Sequence, residues 1–458
     1  MNKRETERAR IKAFYRLLVE RMGQSFWNKR RAALIDRIRA QESTLDRDLP
    51  IESQMFEPPE NDIDWYILVA ELAYDVPHSD VYSSKRIYPY AMALGAFAEE
   101  LKELPNVGPV LDKMLANKSQ PETQLFELLA AAFYLKNGYD VTFIPENSID
   151  WPDGKTKKTP DLLVTAGEIS LYVECKRAAK QTQYAQEEEQ QWGCIWSQLS
   201  RHLLTNAPWH TVDLTFHSQL VEVTAEQVIA VVDQARSAAN GGATSNAISA
   251  RIRQIDVATL QSHYAKHTVR ANSAQHQLLV FGDLDSNEKR SIATIADVIV
   301  RPGGSDAILN IFVQDVGNCV AAQWRCDHTI SFERRSHHFK SLLNKAIGQI
   351  PPDKPGIVHV LYETVEGIST EELRSDKNLA SISSFDAKGT SVLAALIHGV
   401  NYYPLAEDYD WAETVQDFAR VPNARKLFRN PLMLSPDDDT DIAHTSHWLQ
   451  DKANKHVA

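Results

Sequence analysis

The residues with the clearest chemical potential lie in Thr159-Pro160-Asp161 and, after nine intervening residues, Leu171-Tyr172-Val173-Glu174-Cys175-Lys176-Arg177. Side chains alternate along a strand, so Glu174 and Lys176 share one face and Cys175 points to the other. An antiparallel strand that begins at Asp161 brings its carboxylate beside Glu174. Two bare carboxylates that close repel, and a divalent cation relieves the repulsion. Mg²⁺ suits such a site, because it prefers oxygen ligands and keeps waters for a substrate phosphate. A lysine one side chain further along orients the attacking water or stabilises the charge that builds on phosphorus.

The pattern Pro-Asp, a spacer, then Glu-x-Lys falls here on Pro160, Asp161, Glu174 and Lys176, and it resembles the metal site of the PD-(D/E)xK nuclease superfamily. The other Pro-Asp pairs, at Pro152, Pro352 and Pro436, lack a following Glu-x-Lys on an apolar strand. Upstream, Leu125-Phe126-Glu127 … Gly138-Tyr139 is similar to the Phe-Glu … Gly-Tyr helix of Mrr-like restriction enzymes, which implies Glu127 as a further acid. The residues argue the same way. Between Gln124 and Leu135 the segment is apolar on nearly every side and Glu127 is its only charge, so that carboxylate needs a partner. Glu122 is the substitute, with favourable placement against the helix dipole as its other reading. Some relatives carry a Gln in the helix after the lysine strand; Gln190, Gln191 and Gln198 are all available, and the choice among them stays open.

The resemblance implies a restriction-endonuclease-like α/β core, a central mixed sheet flanked by helices. It further implies Mg²⁺, with Mn²⁺ as a substitute, held by Asp161, Glu174 and Glu127, and hydrolysis of DNA in preference to RNA. Decorated, stand-alone nucleases of this kind are typical of bacterial restriction and anti-phage systems, so a defence role is the family-level expectation. The competing expectation is a catalytically silent module of the same fold that binds nucleic acid or a protein partner.

These residues need elements to position them. Ser119 and Pro121 are start signals for a helix that Asn137-Gly138 stops. YDVTFI at 139–144 alternates as a strand, DLLVTA and ISLYVECK form a hairpin around Gly167-Glu168, and a polar helix starts near Gln181. Residues 1–118 read as an N-terminal helical domain suited to a homodimer or a partner protein. Residues 119–365 read as the core, with an insertion at about 211–335, and 366–458 as an extension packed on it. Within the insertion, HQLLVFG at 276–282 reads as a strand, like DVIV and ILNIFVQD. The helix 339–350 and the strand GIVHVLYE read as the core's later part.

Net charge is −12, which argues against a protein that coats nucleic acid by charge alone and leaves local basic surfaces as the phosphate contacts. Two are available: Lys155, Lys157 and Lys158 before Asp161, with Arg177 close by, and the stretch QWRCDHTISFERRSHHFK with Arg334 and Arg335. His328, Glu333, His337 and His338 in that stretch match no zinc spacing. The four cysteines lack CxxC spacing and read as reduced, mostly buried thiols. Glycine loops at 240–246 and 302–306 have no Walker lysine, and the acidic run at 436–441 has no glutamate where a calcium loop needs one. No apolar run reaches the roughly 20 residues of a membrane span, and without a signal peptide a cytoplasmic location is the default expectation.

Overall fold

A computed structural model describes residues 3–42, 45–56, 62–73, 86–116, 121–151, 157–267, 269–271, 273–285, 288–300, 311–336, 339–383, 389–405, 409–419, 427–437 and 445–455. Ser119, Lys155, His337 and His338 lie outside the described residues. In chain order the helices are α1 (Lys3–Met22), α2 (Gln24–Glu42), α3 (Ile63–Glu71), α4 (Ile87–Gly95), α5 (Ala98–Glu103), α6 (Val107–Leu115), α7 (Pro121–Lys136), α8 (Gln183–Asn206), α9 (Ala225–Ser237), α10 (Val257–Tyr264), α11 (Ala274–Phe281), α12 (Thr329–Arg335), α13 (Lys340–Ile347), α14 (Ile368–Ser383) and α15 (His447–Lys455). The strands are β1 (Asp140–Phe143), β2 (Leu162–Ala166), β3 (Ile169–Arg177), β4 (His210–Phe216), β5 (Gly242–Thr244), β6 (Ile248–Gln254), β7 (Val269–Arg270), β8 (Lys289–Val300), β9 (Ile311–Cys326), β10 (Gly356–Glu363), β11 (Val392–Pro404) and β12 (Tyr409–Ala419).

The protein is mixed α/β with two mixed sheets. The first has the order β1-β2-β3-β10-β11-β12; β10 runs parallel to both β3 and β11, and the other pairs are antiparallel. The second, from residues 210–326, has the order β5-β6-β4-β9-β7 with β8 also on β9, and only β4 and β9 are parallel. The chain thus leaves the first sheet after β3, builds the second, and returns at β10.

Alternation along β3 sorts the first sheet's two faces. Leu171, Val173 and Cys175 join a core that includes α7 and the N-terminal helices, through Ile11, Phe14, Leu68 and Leu94. Tyr172 joins the opposite core with Phe339, Leu343 and Ile350 around α13. The helices of residues 3–115 pack on one another and share one continuous core with the sheet and α7. The residues after 366 supply two strands of the first sheet and are not a covering added to it, since β11 completes the second edge of β10. HQLLVFG also differs. It is helical in α11, capped by the Ser273 hydroxyl, which accepts the His276 N–H, and closed by Gly282 at φ +86°.

α7 is positioned from both ends. Pro121 stands at its first turn, and Gly138 at φ +84° ends it in a conformation glycine adopts without strain. A buried relay fixes its middle to the sheet: Tyr134 bonds His359 Nε2 at 3.0 Å, His359 Nδ1 bonds His398 Nε2 at 3.0 Å, and His398 Nδ1 bonds Glu413 at 2.7 Å. The Glu413 carboxylate can only accept, so the His398 Nδ1–H donates to it, and burial, with His398 alongside, holds the His359 pKa well below its usual range. Among the described residues Cys175, Cys319 and Cys326 are buried, Cys194 is exposed and none is in a disulfide. No described helix is long and apolar enough to cross a membrane.

His447 ties α15 to both β12 and the end of β10. Its Nε2–H donates to Thr364 Oγ1 at 2.7 Å, and its Nδ1 accepts from Thr414 Oγ1 at 2.8 Å. Burial holds its pKa down at about 4, against 6.5 unperturbed. The unfolded chain therefore takes up a proton as pH falls below about 6.5, and the folded chain does not until about 4. Stability from this group is complete above pH 6.5 and is lost on the way down to pH 4, at up to about 1.4 kcal/mol per pH unit. Urea unfolding at pH 6.5 and 4.5 should show His447→Gln losing about 2 kcal/mol less than wild type across that interval. An equal loss in both proteins would contradict the assignment.

Candidate active site

β2 and β3 stay paired from Ala166↔Ile169 to Leu162↔Val173, after which β3 continues alone on that side to Arg177. Asp161 sits at the point of departure. Its N–H donates to Val173 O at 3.0 Å and its carbonyl accepts Ile144 N–H at 3.0 Å, so its backbone is held by both neighbouring strands. Its carboxylate Oδ2 then accepts the Cys175 N–H at 2.7 Å, in place of the missing strand. The other oxygen stays available to a cavity of about 600 Å³ lined by Glu127, Asp161, Glu174, Lys176 and Gln349. Glu127 comes from α7, Asp161 from the start of β2, and Glu174 and Lys176 from β3.

Glu174 is buried. One of its oxygens contacts the Lys176 ammonium, and Oε2 has no hydrogen-bond partner. Lys176 Nζ also donates to Gln349 Oε1 at 2.9 Å, and Gln349 Nε2 donates to Thr159 O at 3.4 Å. Gln349 therefore clips the lysine to the Thr159-Pro160-Asp161 segment. Burial of the carboxylates dominates the electrostatics. Burial, and then Asp161, push Glu127 up to about 8. Burial raises Asp161 to about 6 against the opposing pull of the Cys175 N–H and Lys176. Glu174 is raised well above its usual range by burial and by Asp161.

Among the described residues no three His, Cys, Asp or Glu side chains form a ready-made metal cage. The residues at this cavity nevertheless fit a hard divalent cation. The donors are all carboxylate oxygens, one of them buried and orphaned, and Asp161 raises the proton affinity of both Glu127 and Glu174, which a cation would reverse.

The remaining candidates are distributed otherwise. Lys158 lines the cavity, and Lys157 lies 4.5 Å over the Trp151 ring. Arg177 is engaged by carboxylates outside the acidic cavity: it pairs with Glu122 at 2.5 Å and Glu363 at 3.1 Å. Arg86 pairs with the same two carboxylates, each at 2.5 Å. Glu122 is thus taken by two arginines and the Tyr66 hydroxyl, and does not line the cavity. Arg335 is likewise buried, paired with Glu188 of α8 at 2.5 Å, while Arg334 is exposed. Gln190, Gln191 and Gln198 all lie away from the cavity; Gln191 donates to Val223 O and Gln198 stays on its own helix. The amide beside the lysine is Gln349, and a further cation at the rim, Lys113, comes from α6. Neither has a local sequence signal beyond Gln349 closing a helix just before Pro351-Pro352.

Compared with family models, with curated proteins and with solved structures, the chain matches none.

Replacing Arg177 by Met should leave Glu122 and Glu363 with one arginine between them. Breaking a buried pair on one side costs about 3–5 kcal/mol, and urea unfolding should read a loss of that order. Unchanged stability with weakened DNA affinity would instead return Arg177 to the phosphate-contacting role.

Proposed function

We propose that this protein is a metal-dependent nuclease that hydrolyses the phosphodiester bonds of DNA on a restriction-endonuclease-like core. The observation that carries the reading is the convergence of Glu127, Asp161, Glu174 and Lys176, from three separate elements, on one cavity at the open edge of β3. Sequence proximity alone does not bring Glu127 there, 34 residues before Asp161. Asp161, Glu174 and Glu127 would hold a divalent cation, which supplies Lewis-acid polarisation of a phosphate and neutralisation of charge when bound. Lys176, held between Glu174 and Gln349, presents its ammonium protons to a phosphate oxygen and stabilises the charge that builds there. Gln349 fixes the ammonium's direction, so less reorganisation is needed as the reaction proceeds. Lys113 and Lys158 at the rim draw the phosphate backbone toward a cavity that is otherwise acidic. A role in bacterial restriction or anti-phage defence belongs to the same proposal and rests on the motif resemblance.

Supercoiled plasmid and linear DNA incubated with Mg²⁺ or Mn²⁺ test the reading. Wild type should nick or degrade them, while Glu174→Ala and Lys176→Ala lose about 100-fold or more, the scale expected on removing a group that stabilises the transition state. Cleavage that survives in both variants would place the activity elsewhere, and no cleavage of DNA by wild type would overturn the DNA assignment.

A further inference from the structure

α13 has a cavity on each side. Just beyond its end Gln349 faces the acidic cavity, while Ser341, Leu342 and Lys345 line a second one, of about 570 Å³, at the carboxyl ends of β3 and β10. The two share no lining residue, so the second cavity is independent of the nuclease reading. The floor of the second cavity is aromatic. Phe339 and Tyr362 have ring centroids 4.7 Å apart, and Tyr184 of α8 adds a wall with the Arg334 guanidinium 5.2 Å over its ring.

The charge around this floor is one-sided. Arg177, Lys180, Arg334, Lys345 and Arg374 line the cavity against a single carboxylate, Glu363, in a chain whose net charge is −12. Glu363 is already engaged by Arg86 and Arg177, and Arg374 is paired with Glu371 at 2.7 Å. Arg334 and Lys345 are exposed and form no ion pair with any described residue. Unpaired like charges gathered at the mouth of a concave, partly apolar site repel one another, and a bound anion removes the repulsion.

We propose that this cavity binds a phosphorylated ligand of nucleotide size. Its phosphate oxygens meet Arg334, Lys345 and Lys180, and its ring packs against Tyr184 and Leu342. A guanidinium already stacked on an aromatic ring presents its N–H fork to phosphate with little further ordering. The volume lies in the range of pockets that enclose small molecules. The same chemistry has two sources: a free nucleotide, or the phosphates of a nucleic-acid strand passing the far side of α13.

Calorimetric titration in EDTA, with ATP and separately with an oligothymidylate hexamer, separates the two. The proteins compared are full-length wild type, Arg334→Glu, Lys345→Glu and Asp161→Ala, with circular dichroism to confirm that each is folded. At least one probe should bind wild type, each charge reversal should weaken it tenfold or more, and Asp161→Ala should leave it unchanged. Binding of ATP identifies the free nucleotide as the source, and binding of the hexamer alone identifies the strand. The proposal is overturned by no binding of either probe, by binding that survives both reversals, or by binding lost in Asp161→Ala, which would locate it in the acidic cavity.

Discussion

An unpaired stretch of strand edge is the feature on which the acidic site depends. β2 stops opposite Val173 and β3 goes on to Arg177 with a strand partner, β10, on the other side only, which leaves the Cys175 N–H without a backbone acceptor. A buried N–H left that way costs about 1–3 kcal/mol. The Asp161 carboxylate removes the cost by accepting it at 2.7 Å. One carboxylate thereby serves the sheet with one oxygen and the cavity with the other. The same open edge leaves Glu174 and Lys176 uncovered by a neighbouring strand on the β2 side, so both line a cavity. The third acid, Glu127, reaches it because α7 crosses the same end of the sheet.

α7 is held there by polar assemblies as well as by its apolar surface. At its start Glu122 is gripped by Arg86 and Arg177. Further along, Tyr134 begins the relay through His359 and His398 to Glu413. Glu127 lies between the two, so a slide or roll of the helix would break one or both. Burying such groups gives little net stability over an apolar packing of the same volume. What they supply here is direction, because each bond is satisfied in only one placement of the helix. Against these fixed supports stand carboxyls pushed up by burial and by one another, a local conflict of the kind that functional sites retain.

Much of this was legible in the sequence wherever the signal was local. The alternation in Leu171 to Lys176 determined which side chains share a face, and Glu127 stood out as the lone charge between Gln124 and Leu135. Legibility failed where a contact depends on the chain's return. Gln349 bonds Lys176 across 173 residues, and only the parallel pairing of β10 with β3 brings it there. The partners of Arg177 were hidden for a related reason. In the sequence it extends a basic run with Lys176, but strand alternation sends it to the opposite face, where Glu122 and Glu363 await it. HQLLVFG misled because a short apolar run has no decisive period, and its caps, Ser273 and Gly282, decide the outcome. β11 was hidden because its parallel partner β10 lies on the far side of a long helix in the sequence, and β12 joins the sheet only through β11.

The central claim is that Glu127, Asp161 and Glu174 form one cation site, and Mn²⁺ binding measures it without requiring turnover. Calorimetric titration of Mn²⁺ into metal-free protein should show saturable binding that Glu174→Gln weakens at least tenfold, with the fold unchanged by circular dichroism. No binding at millimolar Mn²⁺, or binding undiminished in Glu174→Gln, would contradict the account.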